Sequence, residues 1–408
     1  MTTTSARLPS TRRAVAGAGR RRRGGAAFLS VLLGWLALAS LGIAERREYP
    51  VGRTHADWVD DSRPDWNDAT RPRPLAAMLW YPAQRGTRMV RWQGGVFEFG
   101  EGAADAAIAE GAGRLPLVLV SHGTGGSAAQ LSWLAESLAS EGFLVAGVNH
   151  HGNTVAEKQA LVAGFVLWWE RARDLQVLLQ RLLDDPFLGP HVDADRIGVA
   201  GFSLGGYTAL LAAGARVDLE AFRSWCERHG NDGTCAPPPE AGVGEDGFAH
   251  FLDSDPRAQV PLRNAAGSFH IPQVRAAFVM APAPTQGLSV DSLRDIHIPV
   301  DVVTGSGDAL VRVELVQSLA QHLPDASLQV LRDVGHYAFL APCAPEGVER
   351  LPLSCADAAG IDRSRLHREV AGRAAAFFRR HLCAIPPEAG PSASGPADTL
   401  EVDPCSTP

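Results

Sequence analysis

The stretch Arg196-Ile-Gly-Val-Ala-Gly201-Phe202-Ser203-Leu204-Gly205-Gly206-Tyr-Thr-Ala-Leu210 decides the fold. An apolar run reaches Gly-Phe-Ser-Leu-Gly and passes directly into a helix-forming sequence. A serine placed between a strand and a helix, with a glycine two positions to either side, sits in a sharp, strained turn. The missing side chains let the two backbones close around it. Ser203 then opens a helix, whose dipole stabilises negative charge forming nearby. Such a pentapeptide is common alone; the strand–turn–helix context makes it specific.

Outward from this turn, short apolar runs alternate with helical patterns from about residue 75 to 382. Strands are predicted over 76–81, 117–121, 143–149, 196–201, 276–281, 300–304 and 328–331. Most are continuous Val/Leu/Ala runs without alternation, which suits parallel strands covered on both faces. Helices are predicted over 127–140, 166–183, 203–213, 311–322 and 363–381. The alternation implies an α/β fold, a mostly parallel central sheet flanked by helices, with ligands at the carboxyl edge of the strands. Residues 217–272 interrupt the rhythm and hold Cys226 and Cys235. An excursion that long reads as an inserted lid over the strand ends.

A nucleophilic serine needs an oxyanion site and a base. Leu117-Val-Leu-Val-Ser121-His122-Gly123-Thr124-Gly125-Gly126 ends a buried strand in a glycine-rich loop. The Thr124 amide there and the Leu204 amide after the nucleophile are the expected oxyanion donors. A phosphate cradle would require Gly-Lys-Ser/Thr, which is absent. His122 is read as shaping the loop. Acid and base are expected after the serine: Asp308, ending the run 300–308, and His336, in the Gly335-His336 turn. Asp301 and Asp333 are weaker candidates for the acid. His150-His151 follow a strand and could line the pocket, although loop histidines of this kind are more often solvated. This machinery needs no cofactor and no metal.

Leu79-Trp80-Tyr81-Pro82, Ser121-His122-Gly123-Thr124-Gly125, Asn149-His150-His151-Gly152-Asn153, Gly201-Phe202-Ser203-Leu204-Gly205 and Gly335-His336 together resemble the α/β-hydrolase superfamily. Within it they are similar to the predicted dienelactone hydrolases related to platelet-activating-factor acetylhydrolase. The resemblance spans about residues 48–382 and implies an α/β-hydrolase fold and a serine ester hydrolase, acting on short-chain or phospholipid acyl esters. It also places the first oxyanion donor on Thr124. Ser203 departs from the cysteine nucleophile of dienelactone hydrolases, which tells against lactone chemistry. The acetylhydrolases carry their acid after the strand following the nucleophile helix. Ala281-Pro-Ala-Pro-Thr-Gln-Gly287 offers no carboxylate there, which favours Asp308. An acyltransferase on the same triad is the first rival reading, a non-catalytic binding module the second.

The chain of 408 residues, 46% hydrophobic and 20% charged, is long enough for one large core. Residues 1–44 carry seven arginines and no acid, leaving 31 basic against 45 acidic residues in the remainder, a net of −14. A body that acidic does not seek nucleic acid or an anionic membrane surface. Arg20 to Arg23 precede residues 26–44, nineteen positions without a charge. That pattern reads as an export signal, or, uncleaved, as a membrane anchor through 26–44. Either way the arginines stay cytoplasmic and the body is exported, to the periplasm or beyond. Ser10-Thr11-Arg12-Arg13 only weakly matches a twin-arginine signal. All six cysteines lie in the body, without zinc-site spacing. Pairing them in order, 226–235, 343–355 and 383–405, is the simplest of fifteen disulfide connectivities. Residues 45–384 are expected to form the catalytic domain, and 385–408 a Pro/Ala/Ser-rich tail that Cys405 can tether. The partner expected is a small-molecule ester; the oligomeric state is left open.

Overall fold

The computed structural model describes residues 48–230, 232–238, 241–242, 244–384 and 404–405. The expected export signal or anchor, and most of the tail, lie outside the described residues. The described residues form a ten-stranded sheet in the order β10-β9-β8-β7-β5-β6-β2-β1-β4-β3. The strands are β1 (Val51–Pro64), β2 (Pro72–Pro82), β3 (Val90–Gly94), β4 (Phe97–Ala104), β5 (Leu115–Ser121), β6 (Leu144–Asn149), β7 (Val192–Phe202), β8 (Val274–Met280), β9 (Val300–Gly305) and β10 (Ala326–Leu331). β5 to β10 run parallel, in registers such as Leu119 opposite Ala146 and Val199.

The parallel strands bury both faces, which is why they read as unbroken apolar runs. Along β5, Leu117 and Leu119 join one core while Val118 and Val120 join the other. The first core is completed by the helices Glu170–Leu183, Leu204–Ala213 and Val313–His322; the second by Ser132–Ser140 and Arg363–Leu382. Each fully buried Leu or Phe stabilises the fold by about 1.5–3 kcal/mol.

The other side of the sheet departs from the sequence reading. The run at 76–81 lies in β2, which pairs antiparallel with both β6 and β1. β1, β3 and β4 escaped prediction. β1 alternates partly buried with exposed positions and carries Asp57, Asp60, Asp61 and Arg63, so it lacks the signature of a buried strand.

The excursion 217–272 contains the helices Leu219–Arg228, Glu245–Ser254 and Pro256–Asn264. Phe222 meets Trp168 edge-on at 5.3 Å, and the Trp169 indole donates to the Pro261 carbonyl (3.1 Å). Gln286 donates to Asp232 (3.4 Å), and Gly233 backs onto Leu310. The insert therefore rests on the loops that follow β6, β8 and β9. Disulfides join Cys226 to Cys235, Cys343 to Cys355 and Cys383 to Cys405. No helix among the described residues is long and apolar enough to cross a membrane.

Candidate active site

Ser203 occupies φ +55°, ψ −122° between the end of β7 and the helix Leu204–Ala213. A non-glycine residue there carries strain of about 1–3 kcal/mol and persists only when its surroundings over-determine it. They do so here. The Ser203 amide donates to the Met280 carbonyl (2.9 Å), and its carbonyl accepts from the amides of Ala283 and Tyr207 (both 3.1 Å). A side chain on Gly201 would overlap the Gly205 carbonyl, and one on Gly205 would overlap that of Ser121. Both glycines of the motif are thus required for the close approach of strand, helix and the end of β5.

The turn brings together the three residues expected from the sequence. The Ser203 hydroxyl donates to His336 Nε2 (2.9 Å), and His336 Nδ1–H donates to Asp308 Oδ2 (2.7 Å). Asp308 Oδ1 accepts the amides of Leu310 (2.9 Å) and Val311 (2.7 Å), so both carboxylate oxygens are engaged. All three side chains are buried, and the Phe202 ring lies 4.8 Å from the imidazole. The rival acids sit elsewhere. Asp301 accepts from Ser327 and Arg373, while Asp333 is exposed at φ +58°.

A Cβ placed on Gly123 would stand 3.4 Å from the Ser203 Cβ, so the glycine-rich loop borders the nucleophile. The Gly125 amide is held by Asn153 Oδ1 (2.5 Å), and the Gly123 carbonyl by the Gly126 amide (3.2 Å). Leu204 is the first residue of its helix, where amides have no intrahelical acceptor. Among the described residues, neither the Thr124 nor the Leu204 amide donates to another protein group. No cluster that could hold a metal ion occurs among them either.

His150 and His151 are buried rather than solvated. His151 bonds Glu157 (2.8 Å) and Asp65 (3.1 Å). His150 belongs to a buried polar network that sequence reasoning missed. Asp174 pairs with Arg63 (2.5 Å) and Arg73 (2.9 Å), Arg63 also reaches Asp60 and Glu170, and Arg171 donates to the His122 carbonyl. Three arginines face three acids. Burial alone would raise the Asp174 carboxyl, but Arg73 and Arg63 hold it well below the usual carboxylate range. The available signal was Asp174 itself, four and eight positions before Leu178 and Leu182 on the apolar face of its helix.

Burial also keeps histidines neutral. It is the main cause that lowers His150 and His367 to about 3, and His122 well below its ordinary value. The unfolded chain protonates these rings near pH 6.5 and the fold does not, so below that pH the unfolded state binds more protons. Their contribution is complete above about pH 6.5 and shrinks as pH falls toward 3, by up to about 1.4 kcal/mol per pH unit for each ring. The urea midpoint should therefore drop between pH 7.5 and pH 5, three rings outweighing the one opposing group, the Glu136 carboxyl, which burial raises to about 7 and which favours the fold as pH falls. A midpoint constant over that range contradicts this account.

The strand order and the serine at its elbow are those of the α/β-hydrolase fold. A family model described as PETase, PET hydrolase-like, matches residues 69–230. Cutinase est1 of Thermobifida alba is 32% identical over 106 residues, covering 26% of this chain and 32% of the relative. Cutinase 2 of Thermobifida cellulosilytica is likewise 32% identical, over 26% of this chain and 36% of its own length. The chain thus spans about a third of the curated relatives it matches. A ferulic acid esterase from Streptomyces cinnamoneus superposes with a TM-score of 0.51 at 23% identity, over 86% of this chain and 95% of its own.

Proposed function

We propose that the protein is an exported serine hydrolase of carboxylic esters. The observation that carries this reading is the unbroken line from Ser203 through His336 to Asp308 at a strained strand–helix turn. Ser203 attacks the acyl carbonyl as His336 takes its proton, and the amides of Thr124 and Leu204 receive the tetrahedral oxyanion. His336 returns the proton to the departing alcohol, then activates the water that releases the acyl group. Asp308 orients the imidazole throughout. Short-chain and phospholipid acyl esters come from the sequence resemblance; the cutinase relatives and the ferulic acid esterase neighbour add cutin and ferulic acid esters to the candidates. Export is supported by the arginine-rich head and by three disulfides, which persist in oxidising compartments. Cleaved at about residue 44 or kept as an anchor through 26–44, the head leaves the catalytic domain outside.

The insert 217–272 acts as a lid, stapled by Cys226–Cys235. Closing a loop of about ten residues contributes about 2–3 kcal/mol. The test is hydrolysis of p-nitrophenyl esters from acetate to laurate and of a feruloyl ester, on oxidised and on reduced protein. Hydrolysis with stoichiometric organophosphate labelling of Ser203 is expected, with a chain-length profile that shifts on reduction while the far-UV circular dichroism persists. No labelling and no hydrolysis would sink the esterase; an unshifted profile would sink the lid alone.

A further inference from the structure

The reacting triad has a buried counterpart. The Ser121 hydroxyl donates to His150 Nε2 (2.9 Å), and His150 Nδ1–H donates to Asp174 Oδ2 (3.0 Å). The same residue types recur in the same order, but Ser121, His150 and Asp174 are each 0% exposed. No substrate reaches them. What they touch is the oxyanion loop, because Ser121 ends β5 immediately before His122-Gly123-Thr124.

The hydrogen bonds fix where the protons are. The His150 backbone amide, which can only donate, points at His122 Nε2 (3.1 Å), so that nitrogen is bare. Burial and the neighbouring Arg171 keep the ring neutral. Its one proton therefore sits on Nδ1 and is donated to the Gly123 carbonyl (2.7 Å). That carbonyl also accepts from the Gly126 amide (3.2 Å). The Gly123 carbonyl and the Thr124 amide are the two ends of one peptide group. Hydrogen bonds accepted at the oxygen fix its plane and strengthen its N–H as a donor. Behind the loop, Arg171 donates to the His122 carbonyl, pinning the preceding peptide. The His150 ring, held by Ser121 on one side and Asp174 on the other, lies 5.0 Å from the His122 ring.

We propose that Asp174, His150 and His122 form a positioning relay, anchored on Arg63 and Arg73, that aims and polarises the Thr124 amide toward the tetrahedral oxygen formed on Ser203. The relay rests on the esterase reading of Ser203. It touches no reacting atom; His122 acts only through the Gly123–Thr124 peptide.

Two amide substitutions separate the two ends of the His122 ring. In His122→Asn the side-chain nitrogen falls near the place of Nδ1 and keeps the donation to Gly123. In His122→Gln the side-chain oxygen falls near the place of Nε2, keeps accepting from His150 and loses that donation. The full-length His122→Gln protein should lose about 10- to 100-fold in kcat on p-nitrophenyl butyrate, less than deletion of an oxyanion donor. Its inhibition constant for phenylboronic acid, which forms a tetrahedral adduct on Ser203, should rise by the same factor, with KM changed less than about threefold. His122→Asn should keep kcat within about fivefold. Equal kcat in the two variants, or a loss confined to KM or thermal stability, overturns the relay. Should either variant fail to fold, ¹⁵N NMR of the wild-type imidazoles decides: a proton on His122 Nδ1 from pH 5.5 to 9 supports it, and one on Nε2 overturns it. The two readings fail separately. Wild type that organophosphate cannot label at Ser203 ends the esterase and this proposal together, whereas labelled variants of equal kcat end the proposal alone.

Discussion

Replacing Ser203 by alanine should abolish ester hydrolysis, with kcat reduced by at least about 10⁴-fold, as for other triad serines. The substitution removes one atom, the oxygen that attacks the carbonyl. It keeps the Cβ at φ +55° and so keeps both the strain of the turn and the amide and carbonyl bonds that hold it. What the fold loses is one hydrogen bond to His336, worth about 1 kcal/mol, too little to unfold a core of this size. The residual rate would come from the oxyanion amides acting on bound ester and water. The check is kcat at saturating p-nitrophenyl butyrate, with the thermal midpoint as control. A variant that retains activity within tenfold of wild type removes Ser203 from the mechanism.

What could be read from the sequence, and what could not, follows from where the information lies. β5 and β8 were legible because each buries both faces: Ala276 and Phe278 enter one core, Ala277 and Val279 the other, and nothing polar follows Arg275 in the β8 run. β4, Phe-Glu-Phe-Gly-Glu-Gly-Ala-Ala, has one wetted side and two glycines, so propensity and periodicity both fail there. The candidate triad was legible because each member follows a strand in a turn with its own local signature: Gly-x-Ser-x-Gly, Gly-Ser-Gly-Asp and Gly-His. The buried network had no local signature. Arg63, Arg73, His150 and Asp174 come from two strands, a loop and a helix, and a charged residue read alone is ordinarily a solvated one. Only tertiary structure neutralises them, and only then does His150, after β6, come to rest against His122 in the glycine-rich loop.

The Asp308→Asn variant should lose about 10⁴-fold in kcat, and its surroundings say why an isosteric change is so costly. The amides of Leu310 and Val311 both donate to Oδ1 at 2.9 and 2.7 Å, so this position demands an oxygen. The asparagine must place its carbonyl there and turn its NH₂ toward His336 Nδ1. A ring that accepts at Nδ1 carries its proton on Nε2, which then faces Ser203 as a donor and cannot take the hydroxyl proton. Fold and substrate binding should survive, so the loss appears in kcat with KM and thermal midpoint little changed. The same substitution at the rival acids gives different outcomes. Asp301→Asn breaks the contacts to Ser327 and Arg373 and should weaken the β9–β10 edge without slowing turnover. Asp333→Asn touches an exposed turn residue and should leave both nearly unchanged. A 10⁴-fold loss at either of these, with Asp308→Asn active, would move the acid and require a His336 orientation other than the one seen.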